Sequence, residues 1–270
     1  MSKIHFISGL PRSGSTLLEN ILAQNPRFNA TATSGILDII FSVRNNWDDL
    51  IEFKACPNDE GKLRVMKGML NAYHNTDKVA FDKSRGWCAY LELAEALIER
   101  PAKVLVPVRD VRDVVASFEM LWRKNASMRQ FAQEKQAYFQ WQTQDGRVKA
   151  WLDFGHPVGL AYNRIKDAVH RGFGDRMLFV KFNDLTERPE HTMKEIYEFL
   201  DEEYFEHNFD HVEQVTYEDD TIHGIKDLHT IRNKVEPVPS KWKEVLGAEF
   251  EHLGQLNFWE QQCQQTNTQK

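Results

Sequence analysis

The chain has 270 residues, 41% of them hydrophobic and 27% charged. That balance excludes a disordered protein and suits one α/β domain with an insertion or two better than two full catalytic domains. Its 34 basic and 40 acidic residues leave a net charge of −6 with His neutral, which argues against a nucleic-acid binder working through bulk positive charge. No stretch approaches the roughly 18 uninterrupted apolar residues of a membrane span. A turn signal at Gly9 interrupts the N-terminal apolar run before a signal-peptide core builds up. Cys56, Cys88 and Cys263 form neither a metal motif nor a disulfide framework. A cytoplasmic protein is expected, with no nucleic-acid or membrane partner.

In chain order, residues 4–8 read as a short strand ending at Gly9-Leu10-Pro11-Arg12-Ser13-Gly14. Leu17, Leu18, Ile21 and Leu22 follow at helical spacing, and Asn25-Pro26 closes that helix. Residues 36–75 read as two or three helical pieces broken near 56–61. A second strand at 78–81 leads into Asp82-Lys83-Ser84-Arg85-Gly86, and an amphipathic helix runs from there to Pro101. A third strand, 104–108, is followed by Arg109 and a helix marked by Val111, Val114, Val115, Phe118 and Leu121. Residues 128–145 read as a polar, Gln-rich helix. Pro157 opens another helix to about 171, 177–182 is a fourth strand, and Pro189 opens a helix to Leu200.

Beyond about 205 the pattern weakens. One domain over 1–260 is expected, with helical insertions at about 36–75 and 120–156 on the acceptor side and a disordered tail at 261–270. Strands alternating with helices imply a parallel sheet flanked by helices. The loops at 9–14, 82–86 and 109–112 then share the rim where the strands' carboxyl ends meet ligands.

Two of those loops carry chemistry. Strand, Gly9-x-x-x-x-Gly14 and helix aim backbone N–H groups at a phosphate. A nucleotide-hydrolysing version needs Lys after Gly14, where this chain has Ser15. Its cation is Arg12, inside the loop. In the other loop, Arg109 at a strand end offers a fork for a second phosphate, with Ser117 two turns into the next helix. The plainer alternatives are an ordinary strand-to-helix turn, and an Arg109 paired with Asp110 or Asp113. Pro107 is out of place in a central strand.

Together these stretches resemble the sulfotransferases that use 3′-phosphoadenosine 5′-phosphosulfate (PAPS). Pro11-Arg12-Ser13-Gly14-Ser15-Thr16-Leu17-Leu18 resembles their 5′-phosphosulfate loop, in the form found in the tyrosylprotein-type branch. Residues 108–117, with Arg109 and Ser117 eight apart, resemble their 3′-phosphate motif. Residues 179–200 look like a later strand-helix unit, and 232–242 resemble the basic segment that closes over the nucleotide. The resemblance implies a P-loop-like α/β fold and a sulfuryl group moved from PAPS to a hydroxyl or amine, without a metal.

By the same resemblance, Arg12, Ser13, Gly14, Ser15 and Thr16 hold the 5′-phosphosulfate. Arg109 and Ser117 bind the 3′-phosphate, with Arg232 and Lys234 as helpers, and Lys83 lies near the sulfuryl group. Arg12 and Lys83 are thereby the catalytic cations.

The pattern breaks at the general base. The family's glutamate falls near Thr33, where this chain has no carboxylate, and the family's histidine falls at Lys83 or a neighbour. Asp38 is the nearest substitute, with Asp82 behind it. Among ten histidines, His5, His74 and His223 lie near strand or loop ends, and nothing singles one out. Trp47, Trp122, Tyr138, Trp141 and Trp151 are candidates for an aromatic acceptor pocket, the alternative being core. The acceptor stays open between small molecule, saccharide and peptide. Two rival readings remain: a divergent P-loop kinase of a small metabolite, and a PAP-binding protein (PAP being the desulfated product nucleotide) without transfer activity.

Overall fold

The computed structural model describes residues 3–125 and 138–261. At its centre is β1 (Ile4–Ile7), four residues all buried. Ile4 and Phe6 enter one apolar cluster and Ile7 the other, so the strand is covered on both faces, as central parallel strands are. With β2 (Phe28–Thr33), β3 (Val79–Lys83), β4 (Val104–Val108) and β5 (Met177–Lys181) it forms a parallel sheet in the order β2-β3-β1-β4-β5. Alternation repeats in β4, where Val104, Val106 and Val108 face one cluster and Leu105 the other.

Four of these strands follow from the hydrophobic pattern. The fifth, β2, does not. Its sequence is Phe-Asn-Ala-Thr-Ala-Thr with Phe28 alone buried, and an edge strand with one apolar anchor carries almost no period-2 signal. Pro107 is accommodated because β1 and β4 pair only as far as Ile7 and Leu105. In a strand a residue's N–H and C=O point to the same side, and the Pro107 carbonyl faces the departing β1 chain, accepting from Leu10 N–H at 2.9 Å. Its missing N–H faces the same side, beyond the last paired residues of β1 and β4. Gly9 is required opposite it, since a Cβ there would overlap the Pro107 carbonyl.

Helix α1 (Ser15–Leu22) buries Leu18, Ile21 and Leu22 completely. Each such side chain contributes about 1.5–3 kcal/mol over its exposed state, which fixes where the helix N-terminus points. The stretch 36–75 forms α2 (Ile36–Asp49), α3 (Ile51–Ala55) and α4 (Asp59–His74). Asn58 Oδ1 accepts from Gly61 N–H at 2.8 Å and starts α4 at the expected break. Helices α5 (Leu91–Ile98) and α6 (Val111–Lys124) follow β3 and β4.

Of the Gln-rich stretch 128–145, residues 126–137 lie outside the described residues. The remainder is not one helix. A short turn at Tyr138–Trp141 ends before Thr143, whose hydroxyl accepts from Gly146 N–H at 3.1 Å and caps a new helix, Gln144–Leu152. The helices opened by Pro157 and Pro189 run to His170 and Leu200. The expected tail lies outside the described residues except for Gln261.

Candidate active site

Because β1 lies between β3 and β4, the loops that leave these three strands sit side by side on one rim. They open onto a cavity of about 360 Å³, within the range of small-ligand sites. Among the described residues, six cationic side chains line it (Arg12, Arg85, Arg109, Arg232, Lys234 and Lys241) against two carboxylates, Asp113 and Glu236. A chain of net charge −6 has concentrated positive charge at one place.

Arg12 and Gly14 adopt left-handed backbone, with φ of 61° and 87°, and this curls the first loop. Ser13 is buried, and its hydroxyl donates to the carbonyls of Leu10 (2.5 Å) and Pro107 (2.8 Å). It braces the loop and leaves the Ser13 N–H as the group that can meet a ligand. The first intrahelical bond runs from Leu18 N–H to Gly14 O. The N–H groups of Ser15, Thr16 and Leu17 are therefore free of the helix, and all three residues line the cavity.

The Arg12 guanidinium turns across the cavity floor. Its Nε donates to Ser117 Oγ at 3.0 Å and its Nη1 to the Leu228 carbonyl. Burial, aided by the charge of Arg109, pulls its pKa down to about 10. Arg109 lies over the Phe182 ring, 4.5 Å from its centroid, and its Nε is buried without a partner. Asp110 is taken by Arg112 at 2.6 Å. Asp113 accepts from Ser240 Oγ (2.9 Å) and from the N–H groups of Lys241 (3.1 Å) and Trp242 (3.3 Å). Arg109 thus keeps its charge for the cavity, and the alternative of a local ion pair does not occur among the described residues. Arg232 and Lys234 reach the rim and are tied to Glu236 (3.3 Å) and Asp210 (2.7 Å).

A second, smaller cavity adjoins the first loop, lined by Gly9, Ser15, Thr33, Lys83, Arg85 and His229 among others. Lys83, at the end of β3, is buried and bonded to Glu19 Oε2 (2.5 Å) and Glu218 Oε1 (3.2 Å). Glu218 also accepts from Thr33 N–H (3.0 Å) and Thr33 Oγ1 (2.7 Å). Its other oxygen lies 3.5 Å from His229 Nε2, and His229 Nδ1 is 2.6 Å from Asp220 Oδ1. Burial pushes the Glu218 carboxyl up, yet Lys83, the two Thr33 donors and His229 outweigh it and bring it to about 2. Burial pushes Glu19 up to about 8 despite Lys83. Burial also lowers His229 below its ordinary 6.5, against the pull of Asp220 and Glu218.

Glu218, Asp220 and His229 were invisible to sequence reasoning. They lie where no periodicity survives, and the acidic run Glu218-Asp219-Asp220 was the one available cue. Asn20 of α1 places them: its Oδ1 accepts from Val215 N–H (2.6 Å) and Thr216 N–H (3.1 Å), and its Nδ2 donates to Thr216 Oγ1 (2.9 Å).

Asp38 is a correction. It is exposed in the first turn of α2 and lines neither cavity. Asp82 is buried between His74 Nε2 (3.0 Å) and Trp87 Nε1 (2.6 Å). The tryptophans follow the core alternative rather than an acceptor pocket. Trp141 and Trp151 are core, Trp122 packs under Arg147 at 3.7 Å, and Trp47 stacks on Phe53 at 3.8 Å. None of them lines either cavity, and the Tyr138 side chain lies outside the described residues.

A family model described as the sulfotransferase family matches residues 5–206. The chain belongs to the sulfotransferase family. Solved structures agree on the fold. The sulfotransferase domain from the curacin biosynthetic pathway superposes with a TM-score of 0.58 at 17% identity, covering 94% of this chain and 97% of that one. The sulfotransferase STF9 from Mycobacterium avium gives 0.51 at 14% identity, covering 96% and 76%. The sulfotransferase domain of the Synechococcus PCC 7002 olefin synthase gives 0.50 at 17%, covering 94% and 95%. No curated protein matches the chain. The matched residues end before Glu218, Asp220 and His229, so this sulfotransferase's second cavity is completed by a segment that the family model does not cover.

Proposed function

We propose that this sulfotransferase takes its sulfuryl group from PAPS and passes it to a hydroxyl or amine acceptor. The supporting observation is that Arg12 and Arg109 face one cavity beside a helix N-terminus, neither in an ion pair among the described residues. In this reading Arg12 and the N–H groups of residues 13–16 hold the 5′-phosphosulfate. Arg109, with Ser117 on the next helix, reads the 3′-phosphate, and Arg232 and Lys234 close the rim. Lys83, reached through the adjoining cavity, meets the sulfuryl oxygens.

Sulfuryl transfer, like phosphoryl transfer, has a loose transition state with charge building on the leaving oxygen. Fixed cations and N–H donors aimed at that oxygen are what lowers its barrier. Ser15 in place of a lysine argues against a kinase, since the lysine that reaches the β- and γ-phosphates in a P-loop is missing.

The test is to incubate the protein with ³⁵S-labelled PAPS and a panel of phenols, sugars and tyrosine peptides, following label and PAP release. Transfer to any acceptor supports the reading. PAP binding without transfer favours the binding-protein alternative, and ATP turnover with Mg²⁺ the kinase.

A further inference from the structure

We propose that His229, held by Asp220, is the general base that takes the acceptor's proton, and that Glu218 occupies the place left without a carboxylate at Thr33. This rests on the PAPS reading and concerns the same site. The base is then supplied by the segment 218–229 rather than by β2 or the loop after β3.

Geometry comes first. Asp220 binds His229 twice, accepting from the backbone N–H at 3.0 Å and lying 2.6 Å from ring Nδ1. A carboxylate only accepts, so Nδ1 carries a proton toward Asp220; Nε2, 3.5 Å from the second Glu218 oxygen, carries the lone pair whenever the ring is neutral. His229 lines both cavities, as do Ser15 and Arg85. The His229 side chain therefore lies where the phosphosulfate loop meets the space next to Lys83, with Nε2 3.5 Å from Glu218 Oε2.

Three other groups compete for the role, and chemistry removes each. Glu218 already accepts from Thr33 twice and from Lys83. With its pKa near 2 it is roughly five units too weak a base for neutral pH, where catalytic bases work best near the operating pH. Glu19 is fully buried against Lys83 and lines neither cavity. Arg85, in the loop where the family's histidine would fall, is a guanidinium and cannot take a proton. The charged groups facing His229 are Asp220, Glu218 and Lys83, with the His223 ring 6.0 Å away and Arg12 and Arg85 around the cavities.

In the step, Nε2 takes the proton from an acceptor hydroxyl. The electron pair of the O–H bond goes to the new O–S bond. The S–O bond to the 5′-phosphate breaks and its pair stays on the phosphate oxygen of PAP. The imidazolium then returns its proton to solvent.

The experiment uses the full chain with ¹⁵N-labelled histidine, and ³⁵S-PAPS with water as acceptor. His229 is expected as the Nδ1–H tautomer, titrating below 6.5, and Asp220→Asn should shift both signatures. His229→Gln should bind PAP within about twofold of wild type and release sulfate at least ~100-fold more slowly. An Nε2–H tautomer, or an imidazolium persisting at pH 7.5, overturns the assignment. So does wild type that binds PAP yet releases sulfate no faster than His229→Gln, an outcome that leaves the donor site standing. Wild type that fails to bind PAP overturns the PAPS reading itself.

Discussion

Glu218 Oε1 accepts both the backbone N–H and the hydroxyl of Thr33, a residue 185 positions earlier in the chain. The sequence lacks a carboxylate at 33 and the fold delivers one there. The same oxygen meets Lys83, so one side chain ties the edge strand, the end of β3 and the C-terminal segment together.

That contact predicts an acid-sensitive stability. The Glu218 carboxyl falls to about 2 from an ordinary 4.5, so between those values the unfolded chain takes up the proton first. Its contribution is complete above pH 4.5 and is lost as pH falls towards 2, amounting to at most roughly 3 kcal/mol. Glu218→Gln should be less stable than wild type at pH 6, with the gap closing by pH 2.5. Urea unfolding across pH measures it, and parallel curves would count against it.

Arg109 should discriminate between nucleotides. Arg109→Ala is expected to weaken PAP by about 10–100-fold, the range for loss of a hydrogen bond to a charged group. Adenosine 5′-phosphosulfate, which lacks the 3′-phosphate, should lose no more than about twofold. Calorimetric titration of both ligands decides, and equal losses would mean that Arg109 does not read that phosphate.

Asn20 is the pin for the segment that carries Glu218 and His229. Asn20→Ala leaves the Val215 and Thr216 N–H groups without their acceptor, at about 1–3 kcal/mol for each group left buried and unpaired. Both Tm and sulfate release from PAPS should fall. A stable variant with wild-type release would show that the segment is held by other means.

Gly14 combines a φ of 87° with a close neighbour: an added Cβ would lie 2.7 Å from Phe182 Cδ2. Phe182 is also the platform under Arg109. Gly14→Ala should therefore cost about 1–2 kcal/mol of stability from the left-handed backbone alone. It should also weaken PAP more than that strain explains, because the ring must move. Chemical melts and PAP titration separate the two effects.

The sheet and the first two loops were legible because local rules agree there: apolar strands, Gly9 and Gly14 at the turns, and amphipathic helices behind. Strand β2 was not, having one buried anchor among small polar residues. Ser13 shows what a motif leaves open: its hydroxyl is spent inside the loop, so its backbone N–H is the group that can face a ligand. The proposed base was beyond reach for a different reason. Glu218, Asp220 and His229 owe their places to long-range hydrogen bonds from Asn20, Thr33 and Lys83, and such bonds leave no period in a sequence. Asp38 was the nearest carboxylate after Thr33 in the sequence and faces solvent instead.

Whether the cationic cavity is a PAP and PAPS site can be read from a thermal-shift titration, with ATP and Mg²⁺ as the control. A ligand at about 100 times its Kd stabilises by about 2.7 kcal/mol, which for a chain of this size raises Tm by roughly 5–10 °C. PAP should give that shift, and ATP–Mg²⁺ none of comparable size. A shift with ATP–Mg²⁺ and none with PAP would contradict a PAP site.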